Sequence, residues 1–197
     1  MGKGEQTRER ILEQAAVLFN VQGFAGSSLA DIMQATGLRK GGIYRHFESK
    51  EALALEAFDH AVGLVRARFV AALEGRRNAI DRLRAIVGVF RLHAVDPPIP
   101  GGCPVMNTAI ETDDGNPELR DRARTAMEEW RAMVHRTVAK GMERGEVRDG
   151  VDGEELSSIM ISLLEGAIMM SKLYHDPQHV LRAVDYLDRY LTEQVAA

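Results

Sequence analysis

Between residues 39 and 50 the sequence concentrates side chains that can donate hydrogen bonds to phosphate oxygens or to the edges of bases. Arg39, Lys40 and Arg45 supply guanidinium and ammonium groups, Tyr44 supplies a phenol, and Lys50 closes the run. A guanidinium can also contact guanine through two parallel hydrogen bonds. Each residue alone fits a solvated helix face, but the residues together predict a surface that contacts nucleic acid.

A glycine pair, Gly41 and Gly42, stands at the start of the same segment. Without Cβ atoms, this part of a helix can approach a phosphate or a base edge closely. The pair costs about 1 kcal/mol of helix stability per glycine relative to alanine, which is easier to understand at a contact surface. Ser28, whose neighbouring amides can donate to phosphate, and His46 are further candidate contacts.

The elements that must hold these side chains are two short helices and a tight turn. Ser28 and Asp31 have the spacing of a capping box, so a helix starts there and runs to about residue 35. Gly37 can adopt the positive φ of a turn, and a second short helix over residues 40–47 follows. Such a pair forms a helix-turn-helix, whose second helix enters the major groove of DNA. The apolar residues spaced to pack the two helices together are Ile32, Leu38 and Ile43.

Helical periodicity continues through the rest of the chain, and the alternating pattern of β-strands is absent. Thr7 is the expected cap of a first helix that Gly23 stops, and Ser49 the expected cap of a long fourth helix. The fourth helix carries apolar residues in steps of three or four: Leu55, Phe58, Val62, Val65, Phe69 and Leu73. Further helices are expected over residues 79–95, 105–111, 117–144, 154–174 and 178–195. The predicted fold class is all-α.

The run over residues 28–53, with KGGIYRHFESKEAL at 40–53, resembles the DNA-binding signature of the TetR family of bacterial transcriptional regulators. The resemblance implies a dimeric repressor with an N-terminal three-helix helix-turn-helix domain, residues 1–50. Residues 51–197 would form a C-terminal helical bundle for ligand sensing and dimerisation. It also implies that Tyr44 and Lys50 contact phosphates. Two positions depart from the family pattern: Met33, where alanine is common, and Gly42, where threonine or serine is common.

A repressor of this kind is released from a pseudo-palindromic operator by a small apolar ligand, which shifts the protein only by its differential affinity for two states. The nine methionines suit an adaptable apolar cavity in the C-terminal bundle. Candidate lining residues are Phe90, His93, Met106, Met127, Trp130, Met133, Val134, Met160, Leu164 and Met169. For any one of them, a place in an ordinary bundle core is the simpler interpretation.

The last two helices carry apolar stripes that predict a four-helix dimer interface, as the resemblance implies. Burial within a single chain is the alternative. The stripes consist of Leu156, Ile159, Met160, Leu163 and Ala167, followed by Val180, Val184, Leu187 and Leu191. Because a two-fold operator needs two reading heads, homodimerisation and DNA binding are expected together.

The single cysteine, Cys103, precedes a predicted helix, where unsatisfied amides favour a thiolate. This gives an alternative function, a redox- or electrophile-responsive repressor switched through Cys103. The resemblance to TetR-type regulators with a Gly-Cys element before this helix implies a fold in which the basic Lys172 can approach the sulfur. Burial as a small apolar side chain is the simpler interpretation. A thiol hydrolase with His93 as the base is a remote enzyme alternative.

The charge balance limits how the protein meets nucleic acid. The 197-residue chain has a net charge of −4, which argues against coating DNA through bulk positive charge. Residues 1–50 carry seven basic against five acidic side chains, and the remainder carries 18 against 24. We therefore expect a polyanion to meet only the N-terminal part favourably.

Other function classes find little support in the sequence. It contains no Walker loop, dinucleotide fingerprint or paired Cys-x-x-Cys, so neither an enzyme nor a cofactor is expected. His175 and His179 are separated by a proline, so no metal site is expected. Residues 159–170 are too few to span a membrane, and the polar start and lone cysteine favour the cytoplasm. The expected partners are double-stranded operator DNA, a small-molecule effector and a second copy of the chain, and a pure dimerisation scaffold is the rival interpretation.

Overall fold

The structure is a computed structural model that describes residues 2–113 and 115–197. The helices within that part are α1 Lys3–Gln22, α2 Leu29–Thr36, α3 Lys40–Tyr44, α4 Lys50–Leu73, α5 Ala79–His93, α6 Pro104–Thr112, α7 Pro117–Glu143, α8 Gly153–Tyr174 and α9 Gln178–Tyr190. A π-helical turn over Leu191–Val195 follows α9. The described residues form no β-strand, and Val147 and Ala196 make an isolated bridge. The all-α fold class is confirmed.

Most observed helices begin and end close to the predicted positions, and three ends differ by three or more residues. The last predicted helix, over residues 178–195, ends as an α-helix at Tyr190 and continues as the π-helical turn. α1 begins at Lys3, because Gly2 caps it and donates its amide to Glu5 at 3.1 Å. The predicted cap at Thr7 is therefore wrong. α3 ends at Tyr44, short of residue 47, because the His46 amide donates to the carbonyl of Ile43 and tightens the last turn.

The chain forms two compact units. The first comprises Met1–Val65 and Ile99–Thr125, and the second comprises Arg66–Pro98 and Ala126–Ala197. Residues 1–50 all belong to the first unit, together with most of α4 and the whole of α6.

One apolar core holds the helix-turn-helix of the first unit. Its buried residues are Ile11, Ala15, Ala16, Ile32, Ile43, Phe47, Leu53, Ala57, Ala61 and Ile99. Leu38 packs against this core, so the predicted contact between the two short helices is confirmed. Ile99 comes from the segment between α5 and α6, so that segment is built into the core beneath the helix-turn-helix.

The second unit is held by aromatic packing and by ion pairs. Ring centroids 5.6 to 6.5 Å apart join Phe69, Phe90 and Trp130. Arg84 of α5 makes a bidentate pair with Asp188 of α9, at 2.7 and 3.1 Å, which raises the pKa of the Arg84 guanidinium. Arg91, two turns further along α5, pairs with Asp185, which lies about one turn before Asp188 on α9. The two pairs fix α9 along α5.

The apolar stripes of the last two helices lie mostly inside the chain. α9 packs against both α8 and α5, so its apolar face turns inward. The buried members are Leu156, Met160, Ala167, Val180, Val184, Leu187 and Leu191. For these residues the predicted dimer interface is wrong, and burial within one chain is correct. Ile159, by contrast, is 47% exposed.

Among the described residues, α8 is long and apolar enough to cross a membrane by length and composition. Of its apolar window, 39% is buried inside the protein. Core helices of globular proteins pass the same test, so these two properties are a weak argument for a membrane span.

Gly141 marks a close contact near the end of α7. A Cβ atom placed there would lie 2.5 Å from Val147 Cγ2 and 2.6 Å from Ala79 Cβ. Both atoms are attached close to the main chain and have little freedom to move. The contact therefore fixes the start of α5 and the segment after α7 against the α7 helix.

We expect Gly141→Ala to destabilise the protein. Overpacking costs about 1–3 kcal/mol, which outweighs the gain of about 1 kcal/mol in helix propensity. Urea unfolding at a fixed protein concentration measures the effect as a lowered midpoint. Gly88→Ala is the matched control, because its added methyl meets no atom within 4 Å and should raise the midpoint slightly. Equal midpoints for the two variants would contradict the close contact.

Candidate nucleic-acid interface

The turn between α2 and α3 is fixed by a glycine and a threonine. Gly37 adopts φ 68° at the end of α2, in the left-handed region that favours glycine. The Thr36 hydroxyl donates to the carbonyl of Ile32 at 2.7 Å and accepts the Leu38 amide at 3.4 Å. With Ile32 and Ile43 buried in the core, the outer face of α3 is held toward solvent.

The outer face of α3 carries the predicted donors. Arg39, Lys40 and Arg45 are exposed, and Tyr44 is 40% exposed. Lys40 and Tyr44 lie one turn apart, with the ammonium 5.7 Å from the ring centroid. His46 is half-buried and stands at the margin of this face.

The two glycines of α3 have different surroundings. A Cβ atom on Gly41 would meet no atom within 4 Å, whereas one on Gly42 would lie 3.6 Å from Leu38 Cβ. Gly41 therefore leaves open space at the surface. Gly42 faces the residue that joins α3 to the core.

The start of α2 is closed by the predicted capping box. The Asp31 amide donates to the Ser28 hydroxyl at 3.2 Å, and the Ser28 hydroxyl and amide donate to the Asp31 carboxylate at 2.6 and 2.7 Å. These bonds, the hydroxyl first, lower the pKa of Asp31, and the Lys50 charge adds a smaller effect. The first amides of the helix, at Leu29 and Ala30, have no intrahelical partner and are the donors at this end.

Lys50 is placed by the turn that precedes α2. Its Nζ donates to the carbonyl of Phe24 at 2.5 Å and lies 4.1 Å from the Phe24 ring centroid. An ammonium has three N–H donors, so two others stay available. The Lys50 side chain is half-buried, and its charge lies near the start of α2.

The same turn is held by Glu111 of α6. Its carboxylate accepts the amides of Phe24 and Ala25 at 2.9 and 2.8 Å. A Cβ atom on Gly23, which has φ 82°, would lie 2.7 Å from this carboxylate. The predicted stop of α1 at Gly23 is confirmed, and the glycine also makes room for Glu111.

A second polar contact joins the end of α1 to the segment before α6. The Asn20 amide donates to the carbonyls of Pro100 and Gly102 at 2.7 and 3.0 Å. The Asn107 amide donates to the Asn20 carbonyl at 3.1 Å and to Gly101 at 2.9 Å. Sequence reasoning missed these residues and Glu111. The feature that points to this contact is Asn20, a polar residue on the buried side of α1, because a buried side-chain amide needs hydrogen-bond partners.

The predicted effector residues are only partly brought together. The rings of Phe90 and Trp130 meet at 6.5 Å, while Met106 belongs to the first unit and Met169 is 51% exposed. The half-buried or buried members of the second unit are His93, Met127, Met133, Val134, Met160 and Leu164. His93 Nε2 is buried and has no hydrogen-bond partner among the described atoms. Burial first, and then the charge of Arg68, lower the pKa of His93, so its imidazole is neutral.

Cys103 lies at the start of α6 and is 2% exposed. A sensor thiol has to be reached by its oxidant, so this position gives no support to the redox alternative. Lys172 is exposed on α8 and belongs to the second unit, whereas Cys103 belongs to the first.

Two family models match the chain. Residues 11–57 match the model of bacterial regulatory proteins of the tetR family, and residues 79–187 match the model of the tetracyclin repressor-like C-terminal domain. The second match alone covers more than half of the chain.

Solved structures and characterised relatives agree with the family models. A TetR transcriptional regulator from Chloroflexus aurantiacus is 49% identical, with a TM-score of 0.96 over 100% of this chain and 99% of that one. A TetR-family regulator from Cytophaga hutchinsonii is 34% identical, with a TM-score of 0.87 over 98% and 96%. The transcriptional repressor DhaR of Mycobacterium sp. is 25% identical over 94% of this chain and 88% of its own. The chain belongs to the TetR family of bacterial transcriptional regulators, which bind DNA.

Proposed function

We propose that this regulator is a cytoplasmic, homodimeric repressor. Residues 1–50 bind a pseudo-palindromic operator, and a small apolar effector bound within residues 51–197 releases it. The observation that carries the proposal is the outer face of α3, where exposed cationic side chains and an exposed phenol surround an open glycine.

On this proposal α3 enters the major groove. Arg39 and Arg45 have the donor geometry to contact base edges, and Tyr44 donates its hydroxyl to a phosphate. Lys40 and His46 contact bases or further phosphates at the ends of the same face. Gly41 lets the main chain of α3 approach the DNA.

A second phosphate site lies at the start of α2. The Ser28 hydroxyl is engaged with Asp31, so the amides that follow Ser28 are the donors to phosphate. The Lys50 ammonium supplies the positive charge beside them. Phosphates held at this end position the protein on the duplex without reading sequence.

Homodimerisation follows from the second unit. With the inner stripes of α8 and α9 buried, the apolar side chains left on the outer surface of these helices are Ile159, Met169, Met170, Leu173, Tyr174 and Tyr186, which are 39 to 67% exposed. A second copy of the chain covers this surface. Two-fold pairing presents two α3 helices to the two half-sites of an operator.

The effector site is supported by one buried polar atom that has no hydrogen-bond partner among the described residues. His93 Nε2 is buried without a partner, and an unsatisfied buried polar group costs about 1–3 kcal/mol. An apolar effector with one polar group would satisfy it. Apolar walls with a few placed polar groups are typical of small-molecule sites.

Gly41→Ala tests the close approach of α3 to DNA. The added methyl has room in the free protein, so stability should hold or rise, while operator affinity should fall roughly tenfold, about 1.4 kcal/mol. Gly42→Ala is the matched control, because its methyl faces Leu38. Fluorescence anisotropy with labelled operator, selected from genomic fragments, measures both variants. Unchanged affinity for Gly41→Ala would show that no DNA atom approaches this position.

Tyr44→Phe tests the phosphate contact. The ring beneath Lys40 is kept and only the hydroxyl is removed, so affinity should fall roughly tenfold on operator and random duplexes alike. Titrations between 50 and 200 mM salt should show a steep loss of affinity for the unsubstituted protein. Tyr190→Phe, on α9 and outside the residues assigned to DNA or to the dimer surface, is the matched control. A loss confined to the operator would place Tyr44 on a base and not on a phosphate.

Leu173→Glu tests the dimer surface. The side chain is 67% exposed within one chain, so the subunit should fold, but an unpaired carboxylate in an interface weakens association strongly. We expect at least about a hundredfold rise in the dimer dissociation constant by sedimentation velocity, with a parallel loss of operator binding. Val70→Glu, at a site 64% exposed on α4, should leave the dimer intact. A dimeric Leu173→Glu protein would refute this surface.

A further inference from the structure

The second unit contains a groove lined mainly by arginine and lysine side chains. It has a volume of about 490 Å³ and lies between α7 and the segment that joins α4 to α5. Its cationic residues are Arg76, Arg77, Arg82, Arg136, Lys140 and Arg144. Nothing in the proposed contacts with DNA or with an apolar effector uses these residues.

Local structure explains why the charges converge. Arg136 and Lys140 are spaced by four residues on one face of α7, and Arg144 follows directly after the end of that helix, four residues further on. Arg76 and Arg77 lie in the turn after α4, and Arg82 lies at the start of α5. The close contact at Gly141 holds Ala79, and with it the start of α5, against α7.

Five arginines elsewhere in the second unit are paired with carboxylates, whereas Arg148, Arg182 and Arg189 make no ion pair with the described residues. The pairs are Arg66 with Glu129, Arg68 with Asp96, Arg84 with Asp188, Arg91 with Asp185, and Arg131 with Glu128 and Glu154. In the part of the chain that the structure describes, no ion pair involves any of the six groove cations. Six cations thus line one groove without a carboxylate at ion-pair distance, in a chain whose net charge is −4.

Backbone carbonyls hold three of the guanidinium groups in place. Arg144 Nη1 donates to the carbonyl of Arg77 and Arg82 Nη1 to the carbonyl of Arg76, both at 3.1 Å. Arg76 Nε donates to the carbonyl of Ala72 at 2.8 Å. Each guanidinium has five N–H donors, so most of them are still free for a ligand.

The carboxylate of Glu146 reaches this region but is engaged elsewhere. Its Oε2 accepts the amide of Ala79 at 2.7 Å, which satisfies the start of α5. Met133 and Thr137 supply one apolar and one hydroxyl contact to the wall of the groove. The groove therefore combines several fixed cations with a small apolar patch.

We propose that this groove binds a small molecule that carries adjacent phosphate groups. Arginine forks match phosphate oxygens in two-bond geometry, and a diphosphate supplies enough negative charge to compensate several cations at once. The volume falls within the range of about 300–1,000 Å³ that is typical of small-molecule sites. A concave site of this size suits a compact ligand better than the long, convex backbone of a duplex. The phosphorylated ligand is thus a second effector, held by cations that the apolar one does not use, and Met133 is the one candidate apolar-site residue that also lines this groove.

Isothermal titration of the full chain with pyrophosphate tests the site. We expect saturable binding that weakens with added salt, and about a hundredfold weaker binding by the double variant Arg136→Gln/Lys140→Gln, roughly tenfold for each cation removed. Arg120→Gln/Arg124→Gln is the matched control, because it removes two exposed cations from the same helix outside the groove and should bind as the unsubstituted protein does.

Thermal unfolding provides a second readout that does not depend on heats of binding. Pyrophosphate should raise the melting temperature of the unsubstituted protein and of the control, and should leave the groove variant unchanged. Arg82→Gln, at the opposite wall, should also weaken binding about tenfold. Circular dichroism checks that all variants keep their helices.

Several outcomes would overturn the assignment. One is the absence of saturation up to millimolar pyrophosphate, and another is equal binding by the groove and control variants. Displacement of pyrophosphate by sulfate at the same ionic strength and similar concentration would reduce the groove to an unselective anion surface. A random duplex whose affinity falls only in the groove variant would make it a nucleic-acid contact instead.

Discussion

The turn between α1 and α2 is the constraint on which the DNA-contacting half of the first unit depends. Lys50 donates to the Phe24 carbonyl, and Glu111 accepts the amides of Phe24 and Ala25. A cation from α4 thus binds a main-chain carbonyl of this short loop, and an anion from α6 binds two of its main-chain amides. Because α2 begins directly after this loop, the direction of the helix-turn-helix is fixed by where α4 and α6 place those two charges. The apolar core beneath α3 stabilises the helix-turn-helix, and the contacts of the turn set the direction in which α2 begins.

The segment before α6 adds a second restraint on the same end of α1. The side-chain amides of Asn20 and Asn107 donate hydrogen bonds to main-chain carbonyls, those of Pro100 and Asn20 among them. Gly101 has φ 106°, and a Cβ atom added to it would lie only 2.5 Å from the Asn20 carbonyl oxygen. This segment continues directly from α5 and carries Ile99 into the core beneath the helix-turn-helix. A displacement of α6 would therefore pull on α1 and on the turn together. Packed polar contacts of this kind have discrete arrangements, which is the property a two-state regulator needs.

Helix positions and the recognition surface could be predicted from sequence because their causes are local. The capping box at Ser28, the left-handed Gly37 and the steps of three and four in α4 each involve neighbours within one or two turns. The bonds from Asn20 to Pro100 and from Glu111 to Phe24 join positions 80 and 87 residues apart, and no periodic signal marks them. The stripes of α8 and α9 were periodic but ambiguous, because an apolar stripe does not say whether its partner is the same chain or another copy.

Electrostatics was the least predictable property, for the same reason. Counting charges by segment suggested that only residues 1–50 would attract a polyanion, since the rest carries 24 acidic against 18 basic side chains. In the folded chain some of those carboxylates pair with Arg66, Arg84, Arg91 and Arg131, whereas the six groove cations line one groove and make no ion pair with the described residues. The net charge of a segment does not distinguish charges that form ion pairs in the folded protein from like charges that cluster on its surface.

Lys50 shows how binding and conformation become linked through a single group. One of its N–H bonds is donated to the Phe24 carbonyl, two others remain available, and the charge lies near the start of α2, where phosphate is proposed to bind. On that proposal a phosphate binds the same ammonium that orients the turn, so DNA binding and the geometry of the turn are linked. Linkage makes this reciprocal: whatever moves the turn through Glu111 alters the affinity for phosphate, and bound DNA alters the free energy of moving α6 by the same amount. The chain therefore needs no long-range electrostatic signal to connect α6 with DNA, because three consecutive contacts in one unit suffice.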